Sequence, residues 1–137
     1  MTSRSRTAFF AAAVAGALAL GSAPARASLD TVIGPRTTVE NKPFADCSAR
    51  AKAALQSTMQ NAFEAGAGSG EWIGVGRIAA GADASSSAVI ECHPTGTGYA
   101  ASFTCAAEIP PSPDTAASLC NKLYAAFNAA PAAGGAK

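Results

Sequence analysis

The stretch AVIECHPTGTGYAASFTCAAEI, residues 88–109, decides how the chain folds. It divides at Pro94-Thr95-Gly96-Thr97-Gly98, a cluster of turn formers, into two runs of alternating character. In the second run Tyr99, Ala101, Phe103, Cys105, Ala107 and Ile109 share one face, and Ser102, Thr104 and Glu108 the other. In the first, Ala88, Ile90 and Cys92 oppose Val89, Glu91 and His93. A period of two over this length predicts a β-hairpin with one buried face.

Working outward toward the C-terminus, Pro110-Pro111 stops the sheet. Ser112 as N-cap, Pro113 at the first helical position and Asp114 in the first turn then open a helix. Ala116, Leu119, Cys120, Leu123, Tyr124 and Phe127 form its apolar stripe, and Pro131 ends it, leaving residues 131–137 as a flexible tail.

Toward the N-terminus, residues 71–79 (EWIGVGRIA) read as a strand joined to the hairpin by a turn at Gly81-Ala82-Asp83. Its glycines do not make a dinucleotide-binding loop, which must leave a strand and enter a helix. Close approach of backbone or of a bulky neighbour explains Gly74 and Gly76 instead. Residues 43–65 read as a helix opened by Pro43, with Phe44, Cys47, Ala51, Leu55, Met59, Ala62 and Phe63 in one stripe. Gly66 is its expected C-cap, and residues 66–70 (GAGSG) a flexible joint. Gly34-Pro35 interrupts residues 28–42, which read as an extended lead-in with at most a short strand at 37–40.

The expected fold class is therefore α+β, a single domain over residues 43–130. Its two helices pack on one face of a three-stranded antiparallel sheet in the order α-β-β-β-α. That order resembles the double-stranded RNA-binding domain in topology. The basic helix start and lysine-rich motif that such domains place on RNA are missing from this chain.

Residues 1–27 carry the pattern of a cleaved export signal. Arg4 and Arg6 precede the uncharged run AFFAAAVAGALAL, and Ala25-Arg26-Ala27 supplies the small-x-small cleavage pattern. The apolar run is too short for a transmembrane span, which needs about 20 residues. Loss of Arg4, Arg6 and Arg26 leaves seven basic against nine acidic residues, scattered singly. That balance argues against nucleic acid as a partner, and no membrane span is expected in the mature chain. The expected location is the periplasm or the extracellular space.

Export delivers Cys47, Cys92, Cys105 and Cys120 to an oxidising compartment, where four well-separated cysteines predict two disulfides. A turn centred on Gly96 or Thr97 sets Cys92 opposite Ala101, about 13 Å along the strand from Cys105 at ~3.3 Å per residue. A disulfide tolerates a Cα separation of about 7 Å, so helix-to-strand bridges are expected. Cys47–Cys105 with Cys92–Cys120 is preferred, and Cys47–Cys120 with Cys92–Cys105 stays open.

No catalytic motif is present, and a Ser-His-acid arrangement could use only His93 with Ser102 and Glu91. Glu91 and His93 alternate onto one face, a spacing that holds a metal only with a third donor, so no metal or other cofactor is expected. The remaining candidate is a binding face. A two-residue turn at Ala82-Asp83 would place Trp72 opposite His93, beside Glu91, Ser102 and Thr104, on the side of the sheet without helices. The alternative, held open equally, is that Trp72 faces inward and plugs the core, with Gly74 and Gly76 making room. An aromatic anchor on a field of small residues suits contact with an envelope protein, a glycan or a small ligand. The expectation is a non-enzymatic exported binding module. A metal or small-ligand binder using Glu91 and His93 is the alternative, and a small hydrolase stands third.

Overall fold

A computed structural model describes residues 28–68, 70–80, 83–109 and 112–132. The expected leader over 1–27, the Pro110-Pro111 stop and all but the first two residues of the expected tail lie outside these. The elements run β1(Ser28–Glu40), α1(Phe44–Thr58), β2(Asn61–Gly68), β3(Glu71–Ala80), β4(Asp83–Pro94), β5(Gly98–Ile109) and α2(Ala116–Ala129). The class is α+β, but the sheet has five strands rather than three. It is antiparallel throughout, in the order β1-β5-β4-β3-β2. With two additional strands, the topological likeness to the RNA-binding domain falls away.

The first additional strand is the expected lead-in. Val32, Thr37 and Val39 are half-buried on the helix side, and β1 pairs along β5 from Ser28↔Ile109 to Glu40↔Gly98. Gly34-Pro35 does not end it, because the register shifts between Ile33 and Arg36, forming a bulge on an edge strand. A bulged edge tolerates proline's missing N–H. Gly34 lies so close to α2 that an added Cβ would stand 2.7 Å from Cys120 Sγ. Asn41, at φ 57°, then turns the chain toward α1, and its N–H donates to the Thr97 carbonyl at 2.8 Å.

The second additional strand comes out of the expected helix. Pro43 is the N-cap and α1 stops at Thr58, with Met59 already extended at φ −110° and ψ 149°. The three- and four-residue spacing of Met59, Ala62 and Phe63 continues the stripe by coincidence. In β2 the residues alternate instead, Ala62 paired with Gly76 and Phe63 with Val75. Pairing satisfies the backbone of one side of β3, which would otherwise be a second long exposed edge. Gly66 sits within this strand at a register shift and caps no helix.

Helix α2 begins three residues later than expected. Thr115, not Ser112, is its N-cap and accepts from the Ser118 N–H. The Ser112 hydroxyl accepts from the Asp114 N–H at 3.2 Å, closing a local turn before the helix.

Because β1 and β2 sit at opposite edges, α1 must cross the sheet to join them. It packs over β2, β3 and β4, while α2 covers β1 and β5 and touches α1. The core lies between. Phe103 makes edge-to-face contacts with Tyr124 and Phe127 at 5.6 and 5.5 Å between ring centroids. Leu55, Ile90, Leu119 and Leu123 fill the rest.

This placement of the helices explains the disulfides, which are Cys47–Cys92 and Cys105–Cys120. Both are helix-to-strand bridges, as expected, and Cys92 does oppose Ala101. The pairing is neither of the two anticipated. A three-stranded sheet gives no reason to set α1 over β4 and α2 over β5, and the two additional strands do. Closing these loops, with sequence separations of 45 and 15, restricts the unfolded chain. The chain-entropy relation puts this at about 3 to 4 kcal/mol each.

Candidate functional site

Both helices cover the same face of the sheet, so among the described residues the other face is left bare. On β4 and β5 the alternation is as expected: Ile90, Cys92, Tyr99, Ala101, Phe103 and Cys105 point into the core. Glu91, His93, Ser102 and Thr104 point to the bare side and are partly exposed.

Of the two placements expected for Trp72 the structure has the inward one, which removes it from the candidate binding face. Trp72 pairs with Cys92 rather than His93, lies under α1 and is 4% exposed. Strand β3 runs on to Ala80, and the register shifts between Ile78 and Ala79. A one-residue slip carries every side chain of a strand to the other face. The indole N–H donates to Glu64 Oε2 at 2.7 Å, and the ring stands where a Cβ on Gly74 would need to be. Lys52 pairs with the same Glu64 oxygen at 2.9 Å and lies 5.9 Å from the Trp72 ring. Hydrogen bonds from Lys52 and then Trp72 hold the Glu64 carboxyl below the usual range. These side chains, with Phe63 and Gln56, line a small cleft of ≈ 80 Å³ at the β2 edge.

The serine and the histidine of the bare face take different carboxylate partners. Ser102 Oγ donates to Glu91 Oε2 at 3.1 Å. His93 Nδ1 lies 3.8 Å from Glu71 Oε1, across the ladder from Ser102. Among the described residues no group of three His, Cys, Asp or Glu side chains is placed to hold a metal ion.

What the bare face does carry is an apolar band. The register aligns Ile33, Thr104, Val89, Val75 and Phe63 in one row across all five strands. Ile33 is 84% exposed at one end and Phe63 49% exposed at the other, with Leu29 exposed nearby on β1. The neighbouring rows are charged. One holds Ser87 and Arg77, whose guanidinium lies 6.0 Å from the Phe63 ring. The other holds Arg36, Ser102, Glu91 and Ile73.

Thr104, Glu91 and Ser102 were legible as part of this face from the alternation of residues 88–109. Ile33, Arg36 and Phe63 were not, because they fell in a supposed lead-in and on a supposed helix. The signal that could have found Ile33 is the pair Val32-Ile33, where a strand must send one of two large apolar side chains outward. No helix among the described residues is long and apolar enough to cross a membrane. No family model, curated protein or solved structure matches the chain, and the functional reading rests on this geometry.

Proposed function

We propose that the protein is an exported, non-enzymatic binding module that docks on another protein through its helix-free sheet face. The carrying observation is the row from Ile33 to Phe63. Two large apolar side chains stand exposed at opposite edges of the sheet, joined by Val75, Val89 and Thr104. Contiguous apolar surface rimmed by charge suits protein contact. Export is supported by the leader pattern of residues 1–27 and by the two disulfides, which persist in oxidising compartments.

A photo-crosslinking residue placed at Thr104, with Asn121 on the exposed side of α2 as control, tests the reading in producing cells. A protein adduct formed from Thr104 and not from Asn121 is expected. Equal labelling from both positions, or none from Thr104, rejects the docking face. Fractionation of the same cells tests the location, and accumulation of the protein in the cytoplasm with its leader attached would contradict export.

A further inference from the structure

We infer that the protein docked on the bare face is a second copy of this chain, laid sheet against sheet about a two-fold axis running along the Ile33–Phe63 row. The inference rests on the docking reading and names its partner. Symmetric pairs use the same patch on both subunits, so the patch must be complementary to itself. This one is.

A two-fold axis along the row keeps each strand over its own counterpart and exchanges the rows on either side. The apolar band then stacks on its copy, Ile33 over Ile33 and Phe63 over Phe63. Arg77 crosses to the row that holds Glu91 and comes to lie one strand, about 4.8 Å, to the side of that carboxylate in the second copy. Arg36 crosses toward Glu108 of the second copy, one strand and one row away. Each contact occurs twice. Both arginines of the face find a glutamate, while Glu91 itself falls on Ser87 and Glu108 on Ala100. The other in-plane axis, along the strands, is disfavoured by the same map. Strand β4 is the middle strand, and that axis would set Glu91 on Glu91.

Size agrees with this. Five strands at ~4.8 Å span about 24 Å, and the nine residues of β5 from Ala100 to Glu108, opposite Leu29 to Thr38, cover about 30 Å at ~3.3 Å each, so the face offers roughly 700 Å². A standard stable interface uses about 800 Å² per partner. Two twisted sheets can face each other about 10 Å apart with strands within about 30° of alignment.

Sedimentation velocity on the exported protein across a wide concentration range is the test. A reversible dimer is expected. Ile33→Lys, on an exposed edge position, should give a monomer whose thermal melt matches that of the native protein diluted until it is monomeric, and Thr104→Arg is the second variant should the first fold poorly. Arg77→Glu and Glu91→Arg should each weaken the dimer roughly tenfold or more, as close interfacial pairs do. The double reversal should restore it, which fixes the axis. A protein that is monomeric throughout, or a dimer indifferent to all four substitutions, overturns the inference. The two readings fail separately. A monomer whose Thr104 crosslinker captures a different protein refutes self-pairing and leaves the docking face standing, whereas a monomer with no adduct from Thr104 refutes both.

Discussion

The Tyr99 hydroxyl donates to Asp46 Oδ2 at 2.8 Å, and both side chains are almost wholly shielded from water. Arg50, one turn along α1, donates to the same oxygen at 2.9 Å and also reaches the Asn128 carbonyl near the end of α2. A buried carboxylate needs such partners, because an unsatisfied one is costly. Tyr99→Phe should therefore lower the unfolding free energy by about 1.5 to 3 kcal/mol, the range for a hydrogen bond to a charged group. Urea denaturation measures this, and an unchanged midpoint would show that the hydroxyl adds nothing.

The same contact gives alkaline sensitivity. Burial, and then Asp46, push the Tyr99 hydroxyl from its ordinary 10 up to about 12. The folded state thus keeps a proton that the unfolded state releases. The resulting stability is present in full below pH 10 and is lost as pH rises toward 12. Over that window the denaturation midpoint of the native protein should fall more steeply than that of Tyr99→Phe. Parallel curves would be the contrary result.

Peptide mapping without reduction should return Cys47 linked to Cys92 and Cys105 linked to Cys120. Either alternative pairing in the native protein would contradict the placement of α1 over β4 and α2 over β5. Replacing Cys105 and Cys120 together by serine should cost about 3 kcal/mol for its loop of 15 residues.

Gly34→Ala tests the contact between the bulged edge strand and α2. The new methyl would meet Cys120 Sγ at 2.7 Å, and overpacking of this kind costs about 1 to 3 kcal/mol. Gly66→Ala meets nothing within 4 Å and is the control. Equal denaturation midpoints for the two variants would mean that β1 does not pack against the disulfide.

Trp72, the only tryptophan of the chain, should emit in the blue and resist iodide quenching, since it is 4% exposed. Emission typical of a solvated indole would contradict its place under α1. Trp72→Ala should cost about 3 to 5 kcal/mol, as large aromatic deletions in cores do.

How much of this was legible in the sequence follows from where side chains carry the signal. In residues 98–108 burial alternates without a break, and the residues alternate with it, so the strand and its two faces could be read directly. In β1 a bulge at Gly34-Pro35 breaks the period, and what holds the strand is its ladder to β5, a partner far along the chain. In β2 alanine and glycine give little pattern of either kind, and helix spacing fits its few large residues as well as alternation does. Its identity comes from the unpaired side of β3. The inward turn of Trp72 depends on one bulge residue near Ala79, which no periodicity in residues 71–94 announces. Disulfide pairing and the extent of the bare face inherited both omissions.

The meander from β2 to β5 joins neighbours in sequence, whereas β1 pairs with β5 from residue 28 to residue 109. Contacts of such high order are slow to form. Pulse-labelled amides of β1 should therefore gain protection after those of β3 and β4, and simultaneous protection would argue against this order. The strand made first then waits longest for its neighbour, and until it arrives one side of β5 stands open to any other extended chain.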